Sequence, residues 1–292
     1  MKPYHDFPRY LAAKRSVDDR ALNRPVWDSL RRALPAGRQR VLEIGAGIGT
    51  MADRVWAWDL LRQADYTAID ADPANVAAGA AWWSAVAQAR PGFSLHWETV
   101  DLFGFIAREQ GQQTWDLLIA HAFMDLVDVP GTLPGLLALL RPGGLLYFSV
   151  NFDGATILEP AIDPPLDALV VQLYHQTMDQ RVTAGRPAGD SHTGRHLYHQ
   201  LRAAGVEVLA AGSSDWVVLP RPGANGQMGY PADEAYFIHF IIHTISTALA
   251  GHPALHPARF AAWIAERHAQ VERGELVYIA HQLDYLGRKP SP

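Results

Sequence analysis

Short apolar runs alternate with longer segments of helical periodicity between residues 40 and 151. The runs predict strands at residues 40–44, 66–70, 94–100, 115–120 and 145–151. The intervening segments predict helices at residues 50–63, 73–90, 103–110 and 133–140. Because these strands alternate with helices and read mostly as continuous apolar runs, we expect helices to cover both faces of their sheet. The pattern therefore predicts an α/β fold, with a doubly wound, mostly parallel sheet of seven strands and an inserted helical lid.

The pattern is less regular outside this region. An irregular apolar stripe over residues 16–34 predicts one helix before the first strand. Further helices are expected at residues 166–182, 196–204, 233–249 and 257–273. Strands are expected at residues 206–211, 215–219 and 275–286, and loops at residues 153–165, 185–194 and 220–231. These elements suggest an N-terminal helical cap (1–39), a core (40–219), a helical lid (220–274) and a final core strand with a tail (275–292).

Composition narrows the classes of function. The chain has 292 residues, 49% of them hydrophobic, a formal net charge of -5 and no cysteine. Disulfides, thiolate metal sites and cysteine nucleophiles are therefore excluded. The net negative charge disfavours a nucleic-acid partner. No apolar run reaches the roughly 20 residues that span a membrane, and no secretory signal is recognisable, so we expect a cytoplasmic protein without a membrane partner.

Basic residues are concentrated at the N-terminus. Residues 1–40 contain ten Lys or Arg and four Asp or Glu, whereas the remainder is acidic. The excess is explained either by a solvated helix face or by a basic segment that lies over an anionic ligand group.

A glycine-rich turn follows the first strand. Gly45, Gly47 and Gly49 lie between the strand and a helix that begins near Thr50. Such glycines let the backbone approach a ligand, and the helix N-terminus favours an anionic group. The P-loop motif is excluded because no Gly-Lys-Ser/Thr follows. Thr50 stands where the dinucleotide fingerprint has its third glycine, which argues against a nicotinamide-dependent oxidoreductase.

The segment VLEIGAGIG (41–49) resembles the class I S-adenosylmethionine-dependent methyltransferases. Asp70 after the second strand, Asp101 after the third, WDLLIA (115–120) and LRPGGLL (140–146) extend the resemblance over about a hundred residues. The extra helices before a final strand are similar in layout to histamine N-methyltransferases. The resemblance implies S-adenosylmethionine as cofactor and methyl transfer as activity. A non-catalytic S-adenosylmethionine-binding partner subunit remains an alternative.

The resemblance also implies roles for individual residues. Gly45, Ala46 and Gly47 would approach the methionine part of the cofactor, and Glu43 would orient this loop and the amino group. Asp70 would accept hydrogen bonds from the ribose hydroxyls. The remaining implied contacts are Ala71, Asp101 and Leu102 at the adenine, and His121 and Ala122 near the sulfonium. For Asp70 and Asp101 a helix cap is the alternative role.

Resembling enzymes often place an N-terminal helix over the cofactor. Lys14, Arg15, Arg20 and Arg24 are therefore candidates to pair with the cofactor carboxylate, and Arg20 is our preferred choice.

The methyl acceptor is expected to be a small molecule methylated on nitrogen or oxygen. The stretch after the fourth strand, HAFMD (121–125), lacks the Asn/Asp-Pro-Pro-aromatic sequence of many base-modifying enzymes. Asp125 and Asp128 have poor spacing for a catechol-type metal site, so we expect a solvated loop and no metal.

The apolar helix at residues 233–249 is the candidate substrate-binding element. Phe123, Tyr236, His239 and Phe240 are expected to contact substrate. His239 and His243 are four residues apart, on one side of the helix, and either is a candidate base. Core packing or a homodimer interface is the alternative use of this helix.

Overall fold

A computed structural model describes residues 4–183, 185–223 and 226–291. The strands within these ranges are β1 (Gln39–Ile44), β2 (Ala64–Asp70), β3 (Phe93–Thr99), β4 (Trp115–His121), β5 (Leu140–Glu159), β6 (Val182–Thr183), β7 (Arg186–Pro187), β8 (Glu207–Ser213), β9 (Trp216–Val218), β10 (Arg221–Pro222), β11 (Met228–Gly229) and β12 (Val277–Arg288).

The α-helices in the same ranges are α1 (Phe7–Ala21), α2 (Arg24–Ala33), α3 (Thr50–Ala57), α4 (Pro73–Val86), α5 (Leu102–Glu109), α6 (Val129–Leu139), α7 (Pro164–Asp179), α8 (Thr193–Ala203), α9 (Glu234–Ala248) and α10 (Pro257–Glu272). None of these described helices is long and apolar enough to cross a membrane.

The central sheet confirms the predicted fold class. Its strands follow the order β3-β2-β1-β4-β5-β12-β8, and the short β9 pairs with β12. Strands β1 to β5 run parallel, and β12 is antiparallel to β5 and β8. Because parallel strands end at the same edge, the residues that follow β1, β2, β3 and β4 come together at one side of the sheet.

Helices cover both faces of the sheet, as the continuous apolar strands predict. Consecutive residues of β1 belong to different apolar clusters, Val41 to one and Leu42 to the other. The first cluster includes Trp27 of α2 and Phe237 of α9. The second includes Phe105 of α5 and similar residues of α6 and α8. The alternation follows from the two-residue period of a strand.

The single N-terminal helix predicted at residues 16–34 is wrong. Two helices replace it, and the first begins much earlier, at Phe7, where Asp6 caps it. The Asn23 side chain accepts a hydrogen bond from the Val26 amide and caps α2. Pro25 lies in the first turn of α2, where its missing amide hydrogen costs no helical bond, whereas inside one continuous helix it would break the helix.

The loop predicted from residue 153 is also wrong, because β5 continues to Glu159. Strand β12 pairs with β5 along this length, with Tyr278 opposite Leu158 and Leu286 opposite Tyr147. The sequence after Asn151 carries no apolar run of its own, so its extended conformation depends on pairing with a strand more than a hundred residues away.

Candidate functional site

A cavity of about 920 Å³ lies at the carboxyl edge of the parallel strands. It brings together most of the residues that the sequence assigned to the cofactor. They are Glu43, Gly45, Ala46, Gly47, Asp70, Ala71, Asp101, Leu102, His121 and Ala122, and Phe123, predicted to contact substrate, lines it as well.

The glycine loop lies closely packed against its surroundings. Gly45 and Gly47 have φ values of +62° and +56°, which favour glycine. A Cβ atom on Gly45 would collide with the Phe123 ring, and one on Gly47 would lie 2.8 Å from the Leu11 side chain. The Ala46 amide donates to the Ile69 carbonyl at 2.9 Å. The glycines therefore make room for the side chains of Phe123 and Leu11, and the hydrogen bond from Ala46 fixes the shape of the loop.

Asp70 fixes the same loop from the end of β2. Its Oδ2 accepts from the Gly47 amide at 2.8 Å, and its Oδ1 accepts from the Asp72 amide at 2.9 Å and the Asn75 side chain at 3.2 Å. A carboxylate has about four acceptor sites, so at least one direction remains for ribose hydroxyls.

Asp101 performs the alternative role foreseen for it, since it caps α5. Its Oδ1 accepts from the Phe103 and Gly104 amides, both at 3.0 Å. Its Oδ2 has no hydrogen-bond partner among the residues that the structure describes, so capping leaves one oxygen for an adenine amino group.

Glu43 is buried beneath the loop. The Tyr66 hydroxyl donates to its Oε2 at 2.6 Å. Burial raises the pKa of Glu43 to about 8, although the hydrogen bond from Tyr66 opposes this shift. The charge of Arg54 also lowers the pKa of Glu43, but burial outweighs both effects, so Glu43 is mostly protonated at neutral pH.

His121 is a rigid wall of the cavity. The β4–β5 register places Ser149 beside it, and His121 Nδ1 lies 2.9 Å from Ser149 Oγ. Its Nε2 lies 2.9 Å from Asp18 Oδ2. Burial lowers the pKa of His121 to about 4, so the ring is neutral, donates from Nε2 to Asp18 and accepts from Ser149 at Nδ1. With both nitrogens engaged, His121 is not available as a base.

Asp18 is the centre of a buried network that connects α1 to the core. It accepts from Lys14 Nζ at 2.7 Å and from Trp216 Nε1 at 2.8 Å, and Arg54 lies 3.6 Å away. Burial alone would raise the pKa of Asp18, but the charge of Lys14 and the bond from His121 hold it well below its usual range. Lys14 also lines the cavity.

Two non-glycine residues at the cavity have left-handed backbone. Ala122 has φ +51° and Val150 has φ +58°. Such conformations cost about 1–3 kcal/mol each and are kept only where surrounding contacts hold the backbone in place. The Val150 amide donates to the buried carboxylate of Asp284 at 2.8 Å, and the Ala122 amide donates to the Ser149 carbonyl at 2.8 Å. These bonds fix the backbone where β4 and β5 face the ligand.

The assignment of Arg20 to the cofactor does not fit this geometry. Its two terminal nitrogens donate to the Glu234 carboxylate at 2.6 and 2.9 Å, and Arg20 does not line the cavity. Glu234 is fully buried at the start of α9 and also accepts from Ser16 Oγ at 2.6 Å. Lys14 is the basic residue of α1 that the structure places at the cavity.

The side chains of α9 that the sequence predicted to contact substrate also lie outside the main cavity. Tyr236 and His239 line a second cavity of about 560 Å³, where His239 Nδ1 is 2.8 Å from His268 Nδ1. Phe240 stacks behind Tyr10, with ring centroids 4.1 Å apart. Instead, Ile241 reaches the main cavity. Positions 239 and 241 are about 200° apart on a helix, so the face that carries His239 points away.

His243 follows His239 by one turn and does not line the main cavity either. A role for His239 or His243 as the base is therefore not supported by their position.

Sequence reasoning missed the residues of the second half of the cavity. Tyr10, Tyr174 and Tyr278 come from α1, α7 and β12, and no local pattern connects them. Asp125 was expected in a solvated loop, but its Oδ1 is buried without a hydrogen-bond partner. Its position four residues after His121, beyond a strand that ends at the site, was the available signal.

The residues present fit S-adenosylmethionine. Asp70 and Asp101 retain acceptor capacity at the ends of β2 and β3, beside the glycine loop that lines the cavity. Glu43 and His121 stabilise the floor and wall between them.

Comparison with known proteins agrees with this assignment. The family model described as "Methyltransferase domain" matches residues 18–211, about two thirds of the chain. No curated protein is close enough in sequence to count as a relative.

Several solved structures are similar to this chain at low sequence identity and with TM-scores below 0.5. A putative type II methyltransferase from Anaeromyxobacter dehalogenans is 17% identical over 93% of this chain and 98% of its own, with a TM-score of 0.49. The YcgJ protein from Bacillus subtilis is 15% identical over 92% and 100%, with a TM-score of 0.48. The [4+2]-cyclase SpnF is 17% identical over 92% and 82%, with a TM-score of 0.46. These likenesses are too distant to bear on the acceptor.

The family match covers the glycine loop and the cavity residues from Glu43 to Phe123 that were assigned from the sequence. The chain therefore belongs to the methyltransferase-domain family and is an S-adenosylmethionine-dependent methyltransferase.

Proposed function

We propose that the protein methylates a nitrogen or oxygen atom of a small organic molecule. The observation that carries this proposal is the continuity of the cavity, which extends from the glycine loop to a second chamber between α1, α7, β9 and β12. Its volume of about 920 Å³ is in the range of pockets that bind small molecules, about 300–1,000 Å³. Part of that volume belongs to the cofactor, which limits the acceptor to a compact molecule.

The second chamber suits methyl transfer because its walls are mostly apolar. Phe152 and Trp216 are at least nine-tenths buried, and Ile241 of α9 contributes an aliphatic wall. S-Adenosylmethionine, when bound, supplies an electrophilic methyl group. The protein's own contribution is to align the acceptor and to exclude water.

Contacts between α1 and α9 support the interpretation that the N-terminal segment and residues 220–274 together cover the chamber as a cap. Arg20 of α1 pairs with Glu234 of α9, and Tyr10 stacks on Phe240. Tyr10, Lys14 and Ile241 then face the cavity from this cap.

Transfer of labelled methyl groups tests the proposal. The protein is incubated with tritium-labelled S-adenosylmethionine and a panel of amines, phenols, carboxylic acids, nucleic acid and protein. We expect label in small amines or phenols, and much less label with Asp70→Ala when S-adenosylmethionine is not saturating. Label in nucleic acid or protein alone would contradict the proposal, as would no transfer to any acceptor by a protein that binds S-adenosylhomocysteine.

A further inference from the structure

The second chamber contains an unused group of polar atoms. Asp125 lies in a short 3-10 turn, Met124–Leu126, directly after the cofactor-lining residues 121–123. Its Oδ1 is buried and has no hydrogen-bond partner among the described residues. A buried acceptor without a partner destabilises the folded protein. A ligand that donates a hydrogen bond at this point would remove this destabilisation.

The two nearby cations, Lys14 and Arg181, form no ion pair with Asp125 within the described residues. Lys14 is committed to Asp18, at 2.7 Å. Arg181 lines the chamber half-buried. Burial is the largest influence on the pKa of Asp125 and raises it, and the carboxylate of Asp190 acts in the same sense. A hydrogen bond from its own backbone amide and the charges of Arg181 and Lys14 lower the pKa.

Three tyrosines face the same space. Tyr10, Tyr174 and Tyr278 line the chamber, and their hydroxyls have no hydrogen-bond partner in the described parts of the chain. Burial raises the pKa of Tyr174 to about 12 and shifts the pKa values of Tyr10 and Tyr278 upward as well, so all three stay neutral. Their rings offer faces for an aromatic group and for a cation.

We propose that the acceptor is an amine on an aromatic or similarly apolar molecule, and that Asp125 binds its amino group and accepts its proton. This inference rests on the proposed function and specifies its substrate class. Arg181 in the same chamber disfavours a second positive charge on the acceptor, so diamines and polyamines are excluded.

An amine fits the chamber better than a phenol because burial shifts the pKa values of the two groups in opposite directions. Transfer from water disfavours charged forms, so it lowers the pKa of an ammonium group and raises that of a carboxyl group. The two values converge, and proton transfer from the ammonium to Asp125 becomes easy. For a phenol, burial raises the pKa of the hydroxyl, which moves it further from that of the carboxyl.

In the proton transfer, one N–H bond of the ammonium group breaks and its electron pair stays on nitrogen. The proton forms an O–H bond with the carboxylate of Asp125. Nitrogen then uses this pair to bond the methyl group, while the electrons of the broken S–CH₃ bond stay on sulfur and leave neutral S-adenosylhomocysteine. The product is an N-methylammonium ion, and Asp125 releases its proton to solvent.

Binding of matched probes tests the inference without turnover. The complex of the full-length protein with S-adenosylhomocysteine is titrated calorimetrically with 2-phenylethylamine, tryptamine, 2-phenylethanol, 4-ethylphenol and putrescine. We expect the two arylalkylamines, 2-phenylethylamine and tryptamine, to bind at least about tenfold more tightly than the alcohol, the phenol and putrescine. Asp125→Asn should remove this preference and leave the affinity for S-adenosylhomocysteine within about twofold.

Asp28→Asn, on the exposed face of α2, is the matched control and should leave amine binding unchanged. Melting temperatures of both variants establish that they are folded. Failure of both amines to bind, a preference for the alcohol or phenol, or unchanged amine binding in Asp125→Asn would overturn the inference. Label transfer to phenols would refute this inference and leave the proposed function intact, whereas no transfer to any small molecule would refute the proposed function.

Discussion

Glu43 shows how one buried residue can carry both a structural and a pH-dependent role. Its carboxyl lies under the glycine loop, held by Tyr66, and burial raises its pKa from 4.5 to about 8. The folded protein therefore binds one proton more than the unfolded chain between these pH values. Consequently the contribution of Glu43 to the free energy of unfolding falls as the pH rises through this window.

Glu43→Gln removes this titration and keeps the shape of the side chain. We expect the variant to gain stability relative to the wild type as the pH is raised from 5 to 9. Urea denaturation at several pH values measures the difference. Two stability curves that run parallel over this range would show that Glu43 does not titrate with a raised pKa.

Asp70 is the residue whose loss should affect the cofactor most. Asp70→Ala removes the acceptor for the ribose and the bond to Gly47, and hydrogen bonds to charged groups contribute about 1.5–3 kcal/mol each. We expect the affinity for S-adenosylhomocysteine to fall by about tenfold or more. Asp65→Ala, at the other end of β2, is the control, since Asp65 pairs with Arg38 at the surface. Equal affinities of the two variants would contradict the role of Asp70.

The meeting of the glycine loop, Asp70 and Asp101 at one cavity could be predicted because each follows a strand of the parallel sheet. Arg20 and His239 could not, because the direction of a helical side chain depends on how the helix packs. Arg20 points to a buried acid on α9, which no short-range pattern near Arg20 indicates. The position of Asp125 after β4 could be recognised in the sequence. Its burial could not, because it depends on α1 and α7, which are distant in the chain.

At the scale of elements, strands that carry their own apolar run were predicted and those that depend on a partner were not. Strands β1 to β4 fall within one or two residues of the predicted positions. The distal half of β5 was missed because β12 imposes it. The break between α1 and α2 was indicated by Asn23 and Pro25, whose capping signals outweigh the apolar stripe that continues through them.

The contact between α1 and α9 depends on Arg20 and Glu234. Removal of Arg20 leaves a fully buried carboxylate without its cation. Because Arg20 is itself 38% exposed, water compensates part of the loss, and we expect Arg20→Ala to lower the free energy of unfolding by about 1–3 kcal/mol.

Affinity of Arg20→Ala for S-adenosylhomocysteine should change by less than about twofold, as should that of the exposed control Arg32→Ala. Calorimetry and chemical denaturation separate the two effects. A large loss of cofactor affinity without a loss of stability would restore Arg20 as a cofactor ligand.

At the scale of the whole molecule, the network around Asp18 connects the N-terminal helix to the site. Asp18 on α1 bonds to His121 of β4 and Trp216 of β9, and Arg54 of α3 lies beside it. The network joins segments separated by almost two hundred residues of sequence. It therefore couples the cap to the wall of the cavity.

Asp18→Asn should be strongly destabilising, by about 3–5 kcal/mol, because the buried Lys14 loses its counter-charge, whereas Arg54 keeps its ion pair with Asp19. Denaturation by urea measures the loss. Asp28→Asn, which removes an exposed partner of Arg31, should stay within about 0.5 kcal/mol of the wild type. The double variant Asp18→Asn/Lys14→Met should recover part of the loss, and a single variant as stable as the wild type would contradict the network's role.

We propose that the edge of the parallel strands binds S-adenosylmethionine in a cavity shared with the acceptor. A crystal structure of the protein with S-adenosylhomocysteine would show both parts of this arrangement. We expect the ligand to lie along Gly45–Gly47, with its ribose hydroxyls on Asp70, its adenine beside Asp101 and its sulfur facing the chamber of Asp125 and Tyr10. A ligand bound elsewhere, or a sulfur that faces away from this chamber, would contradict the account.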